Sequence, residues 1–369
     1  MRIKSIIQLV FSFFIILMVS ACNKATETQS PTQTPQPIEE LELLPLAEPG
    51  PYHVGIHTFV TTDSSRANRP VSISVWYPTA ETTGSTSIPA RDADPDRSGA
   101  PYPLILSSTK AANILAPYLV SHGFTWASVD GIDSYMMMHE EMIDQPLDIL
   151  LTLDQVALHP PEGLEGLINS DNAGAIGYSF DGYNALAMSG ARIDPEYYLA
   201  QCPTPDALTE AILGRMSAFS CVPAGAWDQF VSHIDSSITE SEDGLWQPLT
   251  DKRIRAVMPM AGEGWWLFGE RGLAAVDRPV LIIDSTEDEL YKENVLIYEH
   301  LGTSDKSFIS FVGQDHMMIY NGEMIARMAH FAVAFFGYHL QDREEFARYF
   351  SEDFVSQQDG LAWGVVPGK

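Results

Sequence analysis

The sequence predicts an α/β fold, with a mostly parallel central sheet covered by helices on both faces. Three observations predict it. Short apolar runs of strand length alternate with longer helical stretches through most of residues 51–369. Several of these runs are apolar throughout, as strands buried on both faces are. A Gly-x-Ser corner, Gly177-Tyr178-Ser179, falls between one such run and a helical stretch.

Val71-Ser72-Ile73-Ser74-Val75-Trp76-Tyr77 alternates with period two and stops at Pro78, so it reads as a strand. Thr83 to Ala100 is rich in Ser, Pro, Asp and Gly and reads as a loop. Leu104-Ile105-Leu106 is a short buried strand, Ala111 to Ser121 a helix ended by Gly123, and Thr125 to Val129 the next strand. Ile143 to Leu158 carries Leu147, Leu150, Leu151, Leu153 and Val156 along a broad helical face. Ala173 to Gly177 is a buried strand running into a helix at Asp181. Ile254 to Met260, Pro279 to Ile283 and Phe308 to Val312 are three further strands, and Gly322 to Leu340 is a long helix, apolar on most faces. Between Gly190 and Leu249 the alternation breaks. Residues 190–249 read as an insertion, either a cap over an active site or a decoration stapled to the fold.

Ahead of this domain, residues 1–21 read as an export signal. Arg2 and Lys4 precede an apolar stretch, Ile6 to Val19, broken only by Gln8 and Ser12, which is short for a membrane span. The stretch ends Val19-Ser20-Ala21-Cys22, which resembles a bacterial lipobox, with Cys22 as the lipidated residue. Residues 22–50 then form a Pro-, Thr- and Gln-rich tether expected to be disordered. Together these place the domain in the cell envelope, on the outer membrane or cell surface. The other two cysteines, Cys202 and Cys221, are expected to pair in an oxidising compartment. The 21 Lys and Arg against 49 Asp and Glu give a net charge of -28. Such a chain is ill suited to nucleic acid, whose phosphates need a basic surface. No His and Cys cluster suggests a metal, and no cofactor is expected.

A serine hydroxyl needs an adjacent base and a backbone turn that projects it clear of its neighbours. Ser179 sits in such a setting, with Gly177 two residues before it. The second glycine expected two residues after it is displaced: Asp181 stands there and Gly182 follows. The base and its orienting acid follow the serine in the order acid, then histidine. His316, after the strand at 308–312, is the natural base. The acid lies in the turn after the strand at 279–283, where spacing leaves Asp284, Glu287, Asp288 and Glu289 open. Asp315 is too local to His316 to orient it well.

Several segments together resemble the α/β-hydrolase family, in its platelet-activating factor acetylhydrolase and dienelactone hydrolase-like branch. They are Val75-Trp76-Tyr77-Pro78, Pro103-Leu104-Ile105-Leu106, Leu119 to Phe124, Gly177 to Gly182 and Phe268 to Leu273. The likeness covers most of residues 52–345 apart from the insertion. It implies that Ser285-Thr286-Glu287-Asp288 supplies the acid, Asp288, and that Gly313-Gln314-Asp315-His316 supplies the base. It also implies an oxyanion hole made by the amides of Phe180 and Ala111. The family's His-Gly pair is replaced here by Thr109-Lys110. Either the loop keeps its shape, or the Lys110 ammonium takes part, or activity is weak or lost. Tyr178, Trp265 and Trp266 are candidate pocket residues, with core filling as the alternative. The expected activity is hydrolysis of a carboxylic ester, small or lipid. A polyester or amide hydrolase, or a catalytically impaired ligand-binding protein on the same fold, is the alternative.

Overall fold

The computed structural model describes residues 44–82, 88–131, 138–202, 221, 223–232 and 234–369. The chain divides into two units, Met1–Glu40 and Leu41–Lys369, and the described residues belong to the second. The expected signal peptide, Cys22 and most of the expected tether lie outside them. Among the described residues no helix is long and apolar enough to cross a membrane.

The described strands form one ten-stranded sheet. They are β1 His53–Asp63, β2 Arg69–Thr79, β3 Ala90–Arg91, β4 Tyr102–Ser108, β5 Thr125–Val129, β6 Ile168–Tyr178, β7 Ile254–Met260, β8 Val280–Ser285, β9 Lys306–Phe311 and β10 Leu361–Trp363. Their spatial order is β10-β9-β8-β7-β6-β4-β5-β2-β1-β3. Strands β5, β4, β6, β7, β8 and β9 run parallel. Strand β2 pairs antiparallel with both β1 and β5, and β10 antiparallel with β9. The helices used below are α1 Thr109–Ser121, α2 Met138–Leu158, α3 Phe180–Met188, α4 Pro195–Gln201, α5 Trp227–Ser232, α6 Trp265–Leu273, α7 Tyr291–His300 and α8 Gly322–Leu340.

Burial explains which sequence patterns appear where. Strands β4, β5 and β8 are buried at every residue, because helices cover both of their faces. Successive side chains point to opposite faces. Leu104 and Leu106 thus join one core layer with residues of α2 and α3, while Ile105 joins the other with residues of α1 and α8. Strand β1 alternates between part-buried and exposed along much of its length, which is the pattern of a sheet flank. Strand β2 runs past Pro78, where the sequence had suggested a stop. Its pairing with β5 spans only Ile73 to Trp76, so Pro70 and Pro78 lie where a missing amide costs no ladder bond on that side.

Helix α8 is apolar on most faces because it is covered twice. One side rests on the sheet, and the other meets Phe346, Tyr349 and Phe354. His330 of α8 is fully buried and stacks on Phe354. Burial pushes its pKa down to about 3, so it is neutral, and its Nδ1 accepts the Leu46 amide at 3.2 Å. This corrects the expected tether boundary near residue 50. Pro45–Ala47 forms a helical turn, and Leu46 is buried against α8. An apolar Leu44-Pro45-Leu46 run gains more by docking than by staying in water.

The Cys202–Cys221 disulfide is present, with Cα atoms 5.4 Å apart. The described part of the insertion is tied to the domain by aromatic packing as well. Tyr198 of α4 meets Trp227 and Trp266, and Trp246 packs on Trp227 and Phe230 of α5. Residues 203–220 of the insertion lie outside the described residues.

Candidate active site

From β4 the chain steps through α1 to β5 on one side, and β6 then returns to the other side of β4. The order reverses between β4 and β6, which opens a crevice at their C-terminal ends. Ser179 stands at this point, one residue after β6. Its backbone is strained, with φ 62° and ψ -124°. A strained serine on a strand-to-helix corner is the form of a nucleophile elbow. Two glycines make the corner possible. A Cβ at Gly177 would meet the Asp181 carbonyl oxygen at 1.9 Å, and one at Gly182 would meet the Gly262 Cα at 2.5 Å. The displaced glycine thus has its own task, the close approach of α3 to the segment after β7.

The structure brings together the three residues expected to act as a unit. His316 Nε2 is 3.0 Å from Ser179 Oγ, and His316 Nδ1 is 2.7 Å from Asp288 Oδ2. With its proton on Nδ1, His316 donates to Asp288 and accepts from the serine hydroxyl. Asp288 is fully covered, while the His316 side chain is 29% exposed. The other Asp288 oxygen accepts the Leu290 amide at 2.8 Å. Of the four acids left open by spacing, Asp288 is therefore the one bonded to His316.

Backbone ties set the spacing of the two turns that carry acid and base. The Thr286 amide donates to the Phe311 carbonyl at 3.0 Å, and the Glu287 amide to the Gln314 carbonyl at 2.9 Å. The Gly313 amide donates to Thr286 Oγ1 at 2.8 Å. Gly313 takes φ 76°, a left-handed conformation that glycine adopts without strain. Asp315 is spent locally, accepting the Met317 amide at 2.9 Å.

The candidate pocket residues fall deeper than a pocket wall. Tyr178 is 1% exposed, and its hydroxyl donates to the His316 carbonyl at 2.8 Å. It anchors the histidine's backbone. Trp265 and Trp266 are buried in the core that also holds Tyr198. The two expected oxyanion donors both lie in the first turn of a helix. The first residue of α3, Phe180, has no partner for its amide within the helix. Ala111 is the third residue of α1, so its amide likewise has no partner within its helix, and it lies near the Asp181 carboxyl. Burial raises the Asp181 pKa, against the Ser108 hydroxyl, the Lys110 charge and the Ala111 amide, which all favour its ionised form. The two departures from the expected pattern, at 109–110 and at 181, therefore meet each other. The physical reason lies in chain length: α1 begins at Thr109 directly after β4, capped by the Ser108 hydroxyl, and leaves no intervening loop.

Two acids near the site were not singled out by sequence. Glu263, between Gly262 and Gly264 just past β7, is buried, and burial pushes its pKa up to about 7 against the charges of His316 and Lys110. Glu293 of α7 is buried as well. Its Oε1 accepts the Gly264 and Trp265 amides at 2.7 and 2.9 Å, capping α6, and burial pushes its pKa up to about 8. A carboxyl flanked by glycines at a strand's C-terminal end was the available signal for Glu263.

A cavity of about 860 Å³ is lined by Arg66, Arg69, Leu150 and Ile238. None of its lining residues is Ser179, His316 or Asp288, and its arginines pair with Asp63, Asp144 and Asp148. Among the described residues no group of three or more His, Cys, Asp or Glu is placed to hold a metal ion. No family model matches the chain, and no curated protein matches it.

Proposed function

We propose that the chain is a serine hydrolase of the α/β-hydrolase fold that cleaves carboxylic esters through an acyl-enzyme. The observation that carries this reading is the unbroken relay from Ser179 Oγ to His316 at 3.0 Å and from His316 to Asp288 at 2.7 Å. His316 takes the serine proton as Ser179 attacks the ester carbonyl, then returns it to the leaving alcohol. Water repeats the sequence on the acyl-enzyme. Asp288 holds the histidine tautomer and stabilises the imidazolium.

In this reading the Phe180 amide is one oxyanion donor. Lys110, whose charge acts on both Asp181 and Glu263, takes the place of the second, where the resemblance has a His-Gly pair. Met317 and Tyr320 are 59% and 70% exposed in the turn that follows His316. Apolar surface beside the base favours esters with an apolar acyl or alcohol part. Anchoring through a lipid on Cys22 is part of the proposal and is checked by mass spectrometry of the membrane-extracted protein. The Thr109-Lys110 departure favours one second reading, a ligand-binding protein without turnover.

The deciding experiment is hydrolysis of p-nitrophenyl esters of increasing acyl length by the purified chain and by Ser179→Ala, with fluorophosphonate labelling of both. Turnover and labelling lost in Ser179→Ala support the hydrolase. An unlabelled, inert wild type moves the binding protein ahead.

A further inference from the structure

Behind Asp288 lies a second carboxyl. Asp284, in β8 and fully buried, is within hydrogen-bonding reach of Asp288. Two carboxylates in contact without water repel strongly, so the pair holds one proton between them. Their surroundings decide where it sits. Asp288 has two strong donors, the His316 ring at 2.7 Å and the Leu290 amide at 2.8 Å. Asp284 has one close amide donor, Ser285, at 2.6 Å on Oδ1, and its Oδ2 has no donor among the described residues. Asn294 from α7 also contacts Asp284, but its side-chain nitrogen donates to the Gly262 carbonyl at 2.7 Å and the Leu290 carbonyl at 3.1 Å. The charge belongs on Asp288 and the proton on Asp284.

We propose that Asp284 is a positioning residue: as a neutral acid it donates a hydrogen bond to Asp288 and holds that carboxylate toward His316. The inference rests on the reading of Ser179, His316 and Asp288 as a catalytic relay. Burial and the Asp288 charge both raise the Asp284 pKa well above the usual carboxylate range. The other titratable groups facing this pair are Tyr178 of β6, Glu293 of α7 and His316 after β9. Tyr178 is held neutral by burial, and Glu293 is pushed up to about 8. Neither places a positive charge beside Asp284 that would draw its proton away.

The test is the pH profile of kcat/KM for wild type, Asp284→Asn and Asp284→Leu. Asparagine keeps a donor and carries no charge, so its acid limb coincides with wild type. Leucine removes the donor, leaves Asp288 more negative and raises the acid limb by about one pH unit, with kcat/KM at neutral pH about tenfold lower. An ionised Asp284 gives the opposite sign: Asp284→Asn then deletes a negative charge near His316 and lowers the limb, which overturns the proposal. Infrared difference spectra between Ser179→Ala and Ser179→Ala/Asp284→Asn give a second readout, independent of turnover. Loss of a protonated-carboxyl C=O band supports the proposal, and its absence from the difference overturns it. Should Asp284→Leu fail to fold, Asp284→Asn and the infrared band decide. Failure of fluorophosphonate to label wild type sinks the hydrolase reading and leaves the infrared result intact.

Discussion

The turn after β8 and the corner after β4 lie on opposite sides of β6 in the sheet, and the proposed mechanism draws on both. They are built differently. The β8 turn is fixed by main-chain bonds to the turn after β9, so acid and base are placed by backbone geometry. The β4 corner has no loop to shape, and it is organised by charge: Lys110 and the start of α1 face the buried Asp181. Groups set by backbone ties tolerate conservative change around them. Groups that depend on one cation near a buried acid do not, since losing the cation leaves the acid uncompensated.

This contrast can be tested from its largest effect downward. Asp288→Asn keeps the shape of the β8 turn but favours the wrong histidine tautomer, and kcat falls on the order of 10³–10⁴-fold with KM little changed, read by steady-state kinetics. Lys110→Met removes the proposed oxyanion donor while keeping side-chain length, and kcat falls about a hundredfold. If Lys110→Met keeps full activity, the oxyanion hole is made of main-chain groups and the corner is not organised by charge for catalysis. The smallest effect is on stability. Glu293 binds its proton up to about 8 in the folded chain, against 4.5 for the ordinary group. The unfolded chain releases that proton first, so stability is full at low pH and declines as pH rises from 4.5 to about 8. Glu293→Gln removes this decline, seen as a flatter dependence of Tm on pH.

The same contrast explains what the sequence could disclose. Ile254–Met260 and Gly322–Leu340 coincide with β7 and α8, because a continuous apolar run and a strong helical period survive any tertiary context. Strand β1 was missed, since its half-exposed alternation includes His53, His57 and several threonines. The short α6 and α7 were missed as well, because their apolar residues follow the local demands of the core. Ser179 and His316 were legible from their place after strands. Asp288 needed the family resemblance, since four acids in six residues are equivalent until the chain folds. The nearness of the Ala111 amide to Asp181 was not legible at all, since the two residues lie seventy apart in sequence.

The sheet ends in very short strands: β3 pairs two residues with β1, and β10 pairs three with β9. A long bare strand edge is a template on which another chain can add itself. Here β10 covers half of β9, whereas β3 covers only Gly55 and Ile56 of the eleven-residue β1. The consequence is colloidal: at the β1 rim it is mutual repulsion, from a net charge of -28, that opposes strand-to-strand addition between copies crowded at high local density.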